Sequence, residues 1–114
     1  MSMFEPVIIE YQGEELTIPS DKVMQLIGII EGKISAGEIT SENPSSSKLA
    51  AAYAAAINFA GGKTTQEEIY LTFFTGGKAV TEQTILGLIL MMTPPQHLWD
   101  NSINTKSDVK KKKG

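Results

Sequence analysis

The stretch T-E-Q-T-I-L-G-L-I-L-M-M-T-P-P, residues 81–95, decides how the rest of the chain has to fold. From residue 85 to residue 92 every side chain is apolar except the single hydrogen of Gly87. The run is too short to cross a bilayer, which needs about 20 apolar residues. If it is a helix, a helix that is apolar on every side must be central to a core or shared with a partner. A strand remains open, because periodicity alone does not distinguish the two for a short apolar run.

The two ends of this run favour the helix. Thr81 has the hydroxyl of an N-cap, and Val80 and Ile85 have the spacing of a hydrophobic staple. Two consecutive prolines after Thr93 cannot continue a helix. We therefore predict a helix over residues 81–92.

The remaining patterns predict a mainly α protein with an N-terminal β-hairpin and about four short helices. Two segments rich in β-branched residues flank Gly13 and predict the hairpin. Three further helices are expected over about residues 20–34, 43–60 and 65–77. A polar loop is expected over residues 36–47, between the first and the second of these helices. Residues 1–95 are predicted to form a single domain, and residues 96–114 a flexible, disordered tail that is polar and basic.

The sequence also predicts which residues cap the helices and which form the core. The expected N-caps are Ser20, Asn43 with Pro44 after it, and Thr65 in a capping box with Glu68, and the expected C-caps are Gly61, Gly62, Gly76 and Gly77. The first helix should bury the stripe Val23, Leu26, Ile27, Ile30 and Ile34. Ile69, Tyr70, Phe73 and Phe74 are expected to form the aromatic side of the core.

The charge distribution argues against several partners. All ten basic residues are lysines, and residues 1–99 carry eleven carboxylates against five lysines, a formal charge of −6. An acidic body without arginine is a poor nucleic-acid binder. No cysteine is present, so disulfides and thiolate metal sites are excluded. The N-terminus lacks the pattern of a signal peptide, and we expect neither nucleic acid nor membrane as a partner.

No pattern for catalysis, metal or cofactor binding is found, and the chain is expected not to be an enzyme. The segment A-G-G-K-T at residues 60–64 lacks the first glycine of a phosphate-binding loop, because Ile57 stands in its place. His97 is the only histidine, and no nucleophile–base pair is visible.

The best candidates for partner binding are apolar residues near the end of the chain. They are Leu86, Ile89, Leu90, Met91, Met92 and Trp99. Methionine adapts to irregular partner surfaces, and tryptophan is enriched in binding hot spots. Core packing for the methionines and anchoring of the tail for Trp99 are the structural alternatives.

The order of segments resembles the tail assembly chaperones of long-tailed bacteriophages and gene transfer agents. The resemblance runs from the F-E-P-V-I-I-E-Y-Q-G-E-E-L-T-I-P hairpin, through I-I-E-G-K-I and the alanine-rich helix ending in A-G-G, to a T-x-x-E-x-x helix and a leucine/methionine helix ending in P-P. It implies a small helical, non-enzymatic protein of the host cytoplasm. Members of the family coat the tape measure protein and help recruit tail tube subunits. A small helical regulator or adaptor from a mobile element is the alternative.

Two further expectations concern self-association and the lysine run. One side of the helix over residues 81–92 is expected to stay uncovered, so the chain should self-associate. The run at residues 110–113 is either a plain basic tail or, as the resemblance implies, the site of ribosomal frameshifting that yields a longer product.

Overall fold

The computed structural model describes residues 4–93 and begins with the predicted hairpin. Strand β1 spans Val7–Tyr11 and pairs antiparallel with β2, Glu14–Ile18. The two loop residues have positive φ, 51° at Gln12 and 80° at Gly13. Positive φ at both positions is the signature of a type I′ turn, whose twist matches that of the strands. The hairpin is therefore confirmed.

The helices follow in chain order. A single 3₁₀ turn, Ser20–Lys22, leads into α1, Val23–Glu31, which is followed by α2, Ala36–Ile39, α3, Ser46–Phe59, and α4, Gln66–Met92. The predicted mainly helical class with an N-terminal hairpin is thus confirmed. None of the helices within residues 4–93 has the length and hydropathy needed to span a bilayer.

Helix α4 reverses direction at Gly77. The backbone there has φ 72° and ψ −158°, a conformation that is essentially restricted to glycine. Ile69 before the reversal and Thr84 after it line one cavity of about 310 Å³. A straight helix would hold these two residues about 22 Å apart, at 1.5 Å per residue. The two segments of α4, residues 66–76 and 78–92, therefore fold against each other.

The reversal corrects the predicted start of the last helix. Thr81 is not an N-cap, because residues 78–80 are already helical and its hydroxyl donates to the Gly77 carbonyl at 3.4 Å. The break at Gly76 and Gly77 was predicted correctly. A Cβ at Gly76 would overlap the side chain of Val80, so a glycine is needed there for close packing.

The core lies between the hairpin, α1, α3 and α4. Its largest fully buried side chains are Ile18, Val23, Leu26, Ile30, Ile39, Leu49, Ile57 and Leu88. The predicted stripe of α1 is confirmed, although α1 itself ends at Glu31 and Ile34 packs from the following turn. Alanines of α3 allow close approach of its neighbours α1 and α4, since Ala50, Ala52, Ala54 and Ala56 are all buried.

Three further predictions of local structure were wrong. The cap of α3 is Ser45 rather than Asn43, because the Ser45 hydroxyl accepts from the Lys48 N–H. Ser20 lies inside the 3₁₀ turn, and the N-cap position of α1 is Lys22. The predicted loop over residues 36–47 contains α2, whose Ile39 is buried.

Of the two glycines predicted as left-handed caps after α3, one is confirmed. Gly61 has φ 102° as expected, whereas Gly62 has no positive φ. Gly62 is instead required because a Cβ there would lie 2.8 Å from Leu16 and 2.7 Å from Ile57. The capping box of Thr65 and Glu68 is confirmed. The predicted disordered tail over residues 96–114, with its lysine run, lies outside the described residues.

Candidate partner-binding surfaces

The helix predicted to be apolar on every side is buried on only one side. Leu88 is fully buried and Met91 is 6% exposed, whereas Leu86 and Leu90 are 56% and 64% exposed. Residues four apart lie on the same helix face, so Leu86 and Leu90 form one exposed pair. Of the six predicted partner-binding residues, these two are therefore accessible and Met91 belongs to the core.

The other predicted residues have different positions. Ile89 and Met92 are half-buried and line a cleft of about 290 Å³ with Ile27 and Ile39, at the junction of α1, α2 and α4. Their side chains therefore pack against the core and do not form a free surface. Trp99 lies outside the described residues.

A groove separates the exposed pair from the hairpin. We call it the Leu90 groove, and its volume is about 390 Å³. Its walls are residues 6–10 on one side and Gly87, Leu90 and Met91 on the other, and Tyr53 also lines it. Gly87 is in contact with the Tyr53 ring, since a Cβ placed there would lie 3.6 Å from it. Burial of the Tyr53 ring raises the pKa of its hydroxyl. The groove is therefore apolar on its helical side and presents a strand edge on the other.

A second apolar surface was missed by the sequence analysis. Tyr70, Leu71 and Phe74 are 37%, 60% and 71% exposed, and with Ser47, Gln66 and Glu67 they line a cleft of about 570 Å³. We call this the Phe74 surface. The Gln66 amide supports the cleft by donating to the Ser47 carbonyl at 2.9 Å.

The prediction that Tyr70 and Phe74 form the aromatic side of the core was wrong. Only Ile69 and Phe73 of the predicted cluster are buried. Tyr70 stacks edge-to-face on Phe74 at 5.2 Å between ring centroids. The helical period of the sequence could have shown this difference, because residues 69 and 73 lie on one face of the helix and residues 70 and 74 on the adjacent face.

No family model, curated protein or solved structure matches the chain. The function has to be inferred from the surfaces themselves.

Both exposed stripes of α4 have the same order of side chains. Each begins with a carboxylate and continues with two apolar residues on one helix face, Glu67–Leu71–Phe74 in the first segment and Glu82–Leu86–Leu90 in the second. Within residues 4–93, the ion pair of Lys48 with Glu38 at 3.0 Å is the only one, so Glu67 and Glu82 are unpaired. The two stripes are therefore apolar surfaces with a free negative charge at one end.

The part of the chain that the structure describes contains no cluster of three or more histidine, aspartate or glutamate side chains that could hold a metal ion. The A-G-G-K-T segment follows helix α3, and its Thr64 hydroxyl accepts a 2.9 Å hydrogen bond from Tyr11. This hydroxyl is thus engaged in joining the hairpin to the segment before α4.

Proposed function

We propose that the chain is a non-enzymatic tail assembly chaperone of a long-tailed bacteriophage or gene transfer agent. In this role it covers an apolar stripe of the tape measure protein in the host cytoplasm and helps recruit tail tube subunits. One observation carries the proposal: α4 leaves five large apolar side chains uncovered, which are Tyr70, Leu71, Phe74, Leu86 and Leu90. The resemblance of the segment order supplies the identity of the partner.

The Phe74 surface suits an amphipathic helix. Leu71 and Phe74 lie three residues apart on α4 and line a cleft of about 570 Å³, and an apolar cleft of this kind can take the apolar side chains of a partner helix. The unpaired Glu67 at the edge of the cleft favours a lysine or arginine beside that apolar stripe. The expected ligand is therefore an amphipathic helix of the tape measure protein with a basic flank.

The size of this surface fits a chaperone that must later be displaced. Three exposed side chains bury much less than the roughly 800 Å² per partner of a stable interface. Each copy therefore binds with modest affinity, and many copies along one tape measure helix together keep its apolar stripe covered. Tail tube subunits with a larger interface can then replace them.

Co-expression with the tape measure protein of the same genome tests the proposal. A tagged tape measure protein should remain in the soluble fraction and co-purify with this chain. Leu71→Glu combined with Phe74→Glu should abolish co-purification, because it places charge in the apolar cleft. Both residues are exposed, so the variant should still fold.

Met24→Glu is the matched control. Met24 is 60% exposed but lies on α1 and lines neither the Phe74 surface nor the Leu90 groove, so its variant should co-purify like the natural chain. Precipitation of the tape measure protein despite co-expression would refute the chaperone role. Loss of binding in the Met24 variant as well would show that the Phe74 surface is not the specific site.

A further inference from the structure

Within residues 4–93, β1 pairs with β2 alone, so no other strand covers its outer edge there. In a hairpin with a two-residue turn, the residues that flank the turn, Tyr11 and Glu14, form a hydrogen-bonded pair. The alternation of the ladder then directs the backbone groups of Val7 and Ile9 toward β2. Those of Ile8 and Glu10 point away from β2, and both residues line the Leu90 groove.

We propose that the Leu90 groove is the self-association site, in which β1 of a second copy pairs antiparallel with β1 across a two-fold axis. The result is a continuous four-stranded sheet. This surface is distinct from the Phe74 surface, so the inference does not rest on the chaperone function.

The sequence of β1 selects one register for this pairing. With Ile9 opposite Ile9 of the second copy, Ile8 pairs with Glu10 of the second copy, and both outward N–H groups and both outward carbonyls of each strand find partners. Moving the register one way places Glu10 opposite Glu10, which brings like charges together. Moving it the other way places Glu10 opposite Pro6, which has no N–H to donate.

Symmetry and charge also favour a second copy. The two-fold axis keeps the same face of both hairpins toward the helices, so Leu90 of each copy, which is exposed and lines the groove, lies beneath the shared sheet. The carboxylates at Glu10 stay apart. One short strand pair and a few side chains of each copy make a small interface, so we expect the dimer to be weak and concentration-dependent.

Proline substitutions test the edge directly. Ile8→Pro removes an outward N–H without touching the ladder to β2, and proline is tolerated at such an edge position. Thr17→Pro is the matched control, because Thr17 is the cross-strand partner of Ile8 and its N–H points to the opposite edge of the hairpin. Sedimentation velocity at concentrations on the order of tens of micromolar, without any tape measure protein, should show dimers of the natural chain and of the Thr17 variant.

The Ile8 variant should sediment as a monomer, with self-association weakened more than about tenfold. A monomeric natural chain, or dimers that persist in a folded Ile8 variant, would refute the proposal. Leu90→Glu should also give monomers, whereas Leu71→Glu on the Phe74 surface should leave the dimer unchanged. If the chain does not co-purify with the tape measure protein in the co-expression experiment, the results expected for the dimer stay the same.

The register is tested with cysteines, because the chain contains none. Ile8 and Glu10 are exposed, so single cysteines at these positions should leave the fold intact even where a proline variant does not fold. In the paired strands the Cα atoms of positions 8 and 10 lie about 5.5 Å apart, within the range of a disulfide. A mixture of Ile8→Cys and Glu10→Cys should therefore form the mixed disulfide faster than either variant forms its own. Preferential disulfides within either single variant, or none in the mixture, would overturn the proposed register.

Discussion

The hydroxyl of Tyr11 donates a 2.9 Å hydrogen bond to Oγ1 of Thr64 and so joins the end of β1 to the segment before α4. Thr64 is buried, and its backbone N–H and carbonyl are both bound by the Asn58 side chain, at 2.9 and 3.0 Å. The hairpin, the end of α3 and the start of α4 therefore meet at one residue. The position of α4, and with it of both exposed stripes, depends on this junction.

Removing the Tyr11 hydroxyl should weaken the junction. We expect Tyr11→Phe to lower the free energy of unfolding by about 1 kcal/mol, because the buried Thr64 hydroxyl loses its hydrogen-bond donor. Tyr70→Phe is the control, since Tyr70 lies on the exposed surface of α4. Urea unfolding followed by circular dichroism measures both values. Equal stability of the two variants would show that the hydrogen bond contributes nothing.

Glycine substitutions test the reversal of α4. Gly77→Ala should destabilise the chain by about 1–3 kcal/mol, because its φ and ψ are essentially restricted to glycine. Gly28→Ala should instead stabilise it by up to about 1 kcal/mol, since Gly28 is helical and a Cβ there meets nothing within 4 Å. Thermal unfolding reports both changes. An unchanged thermal stability of the Gly77→Ala variant would mean that the reversal of α4 does not require a glycine at position 77.

The packing of Gly76 can be tested by a compensating pair. Gly76→Ala should destabilise the chain because its Cβ overlaps the side chain of Val80. Val80→Ala removes the overlapping methyl groups, so the double variant should lose less stability than the two single variants added together. Strict additivity in a double-mutant cycle would contradict the contact.

Two leucines of the same helix should respond in opposite ways. Leu88→Ala should cost about 2–5 kcal/mol because Leu88 is fully buried. Leu90→Glu should leave the free energy of unfolding of the monomer nearly unchanged, because Leu90 is mostly exposed. Chemical denaturation at low protein concentration, where dimers are not populated, separates the two effects. Unfolding of the Leu90 variant would place that residue in the core.

Acid should weaken the segment that holds α2 against α3. The Lys48 ammonium, which donates to Glu38, and the Ser45 N–H, which also donates to it, hold the pKa of this carboxyl below its ordinary value of 4.5. A carboxyl with a lowered pKa in the folded state contributes stability that is present above pH 4.5 and is lost as pH falls through the folded-state pKa. We therefore expect stability to fall with acid in that range, and Glu38→Gln to flatten this part of the pH profile. An unchanged slope in the variant would contradict the contribution of Glu38.

Local sequence determined the elements whose signals lie within a few residues. The hairpin follows from two β-rich segments around Gly13, the capping box from Thr65 and Glu68, and the buried stripe of α1 from its helical period. The break at Gly76 and Gly77 was also predictable, because glycine pairs interrupt helices. These features depend on backbone preferences and periodicity, which act over one or two turns.

The tertiary structure alone decided which apolar residues are covered. The run over residues 85–92 gives no sign that Leu88 is buried while Leu86 and Leu90 are exposed, because all three are leucines with equal preference for the interior. Phe73 and Phe74 also differ in burial, but there the helical period already places them on different faces. The direction in which α4 turns at Gly77 sets which face meets α3, and this direction results from contacts between segments distant in sequence. The surfaces available for binding therefore emerge from packing, which a pattern of residue types along one chain does not encode locally.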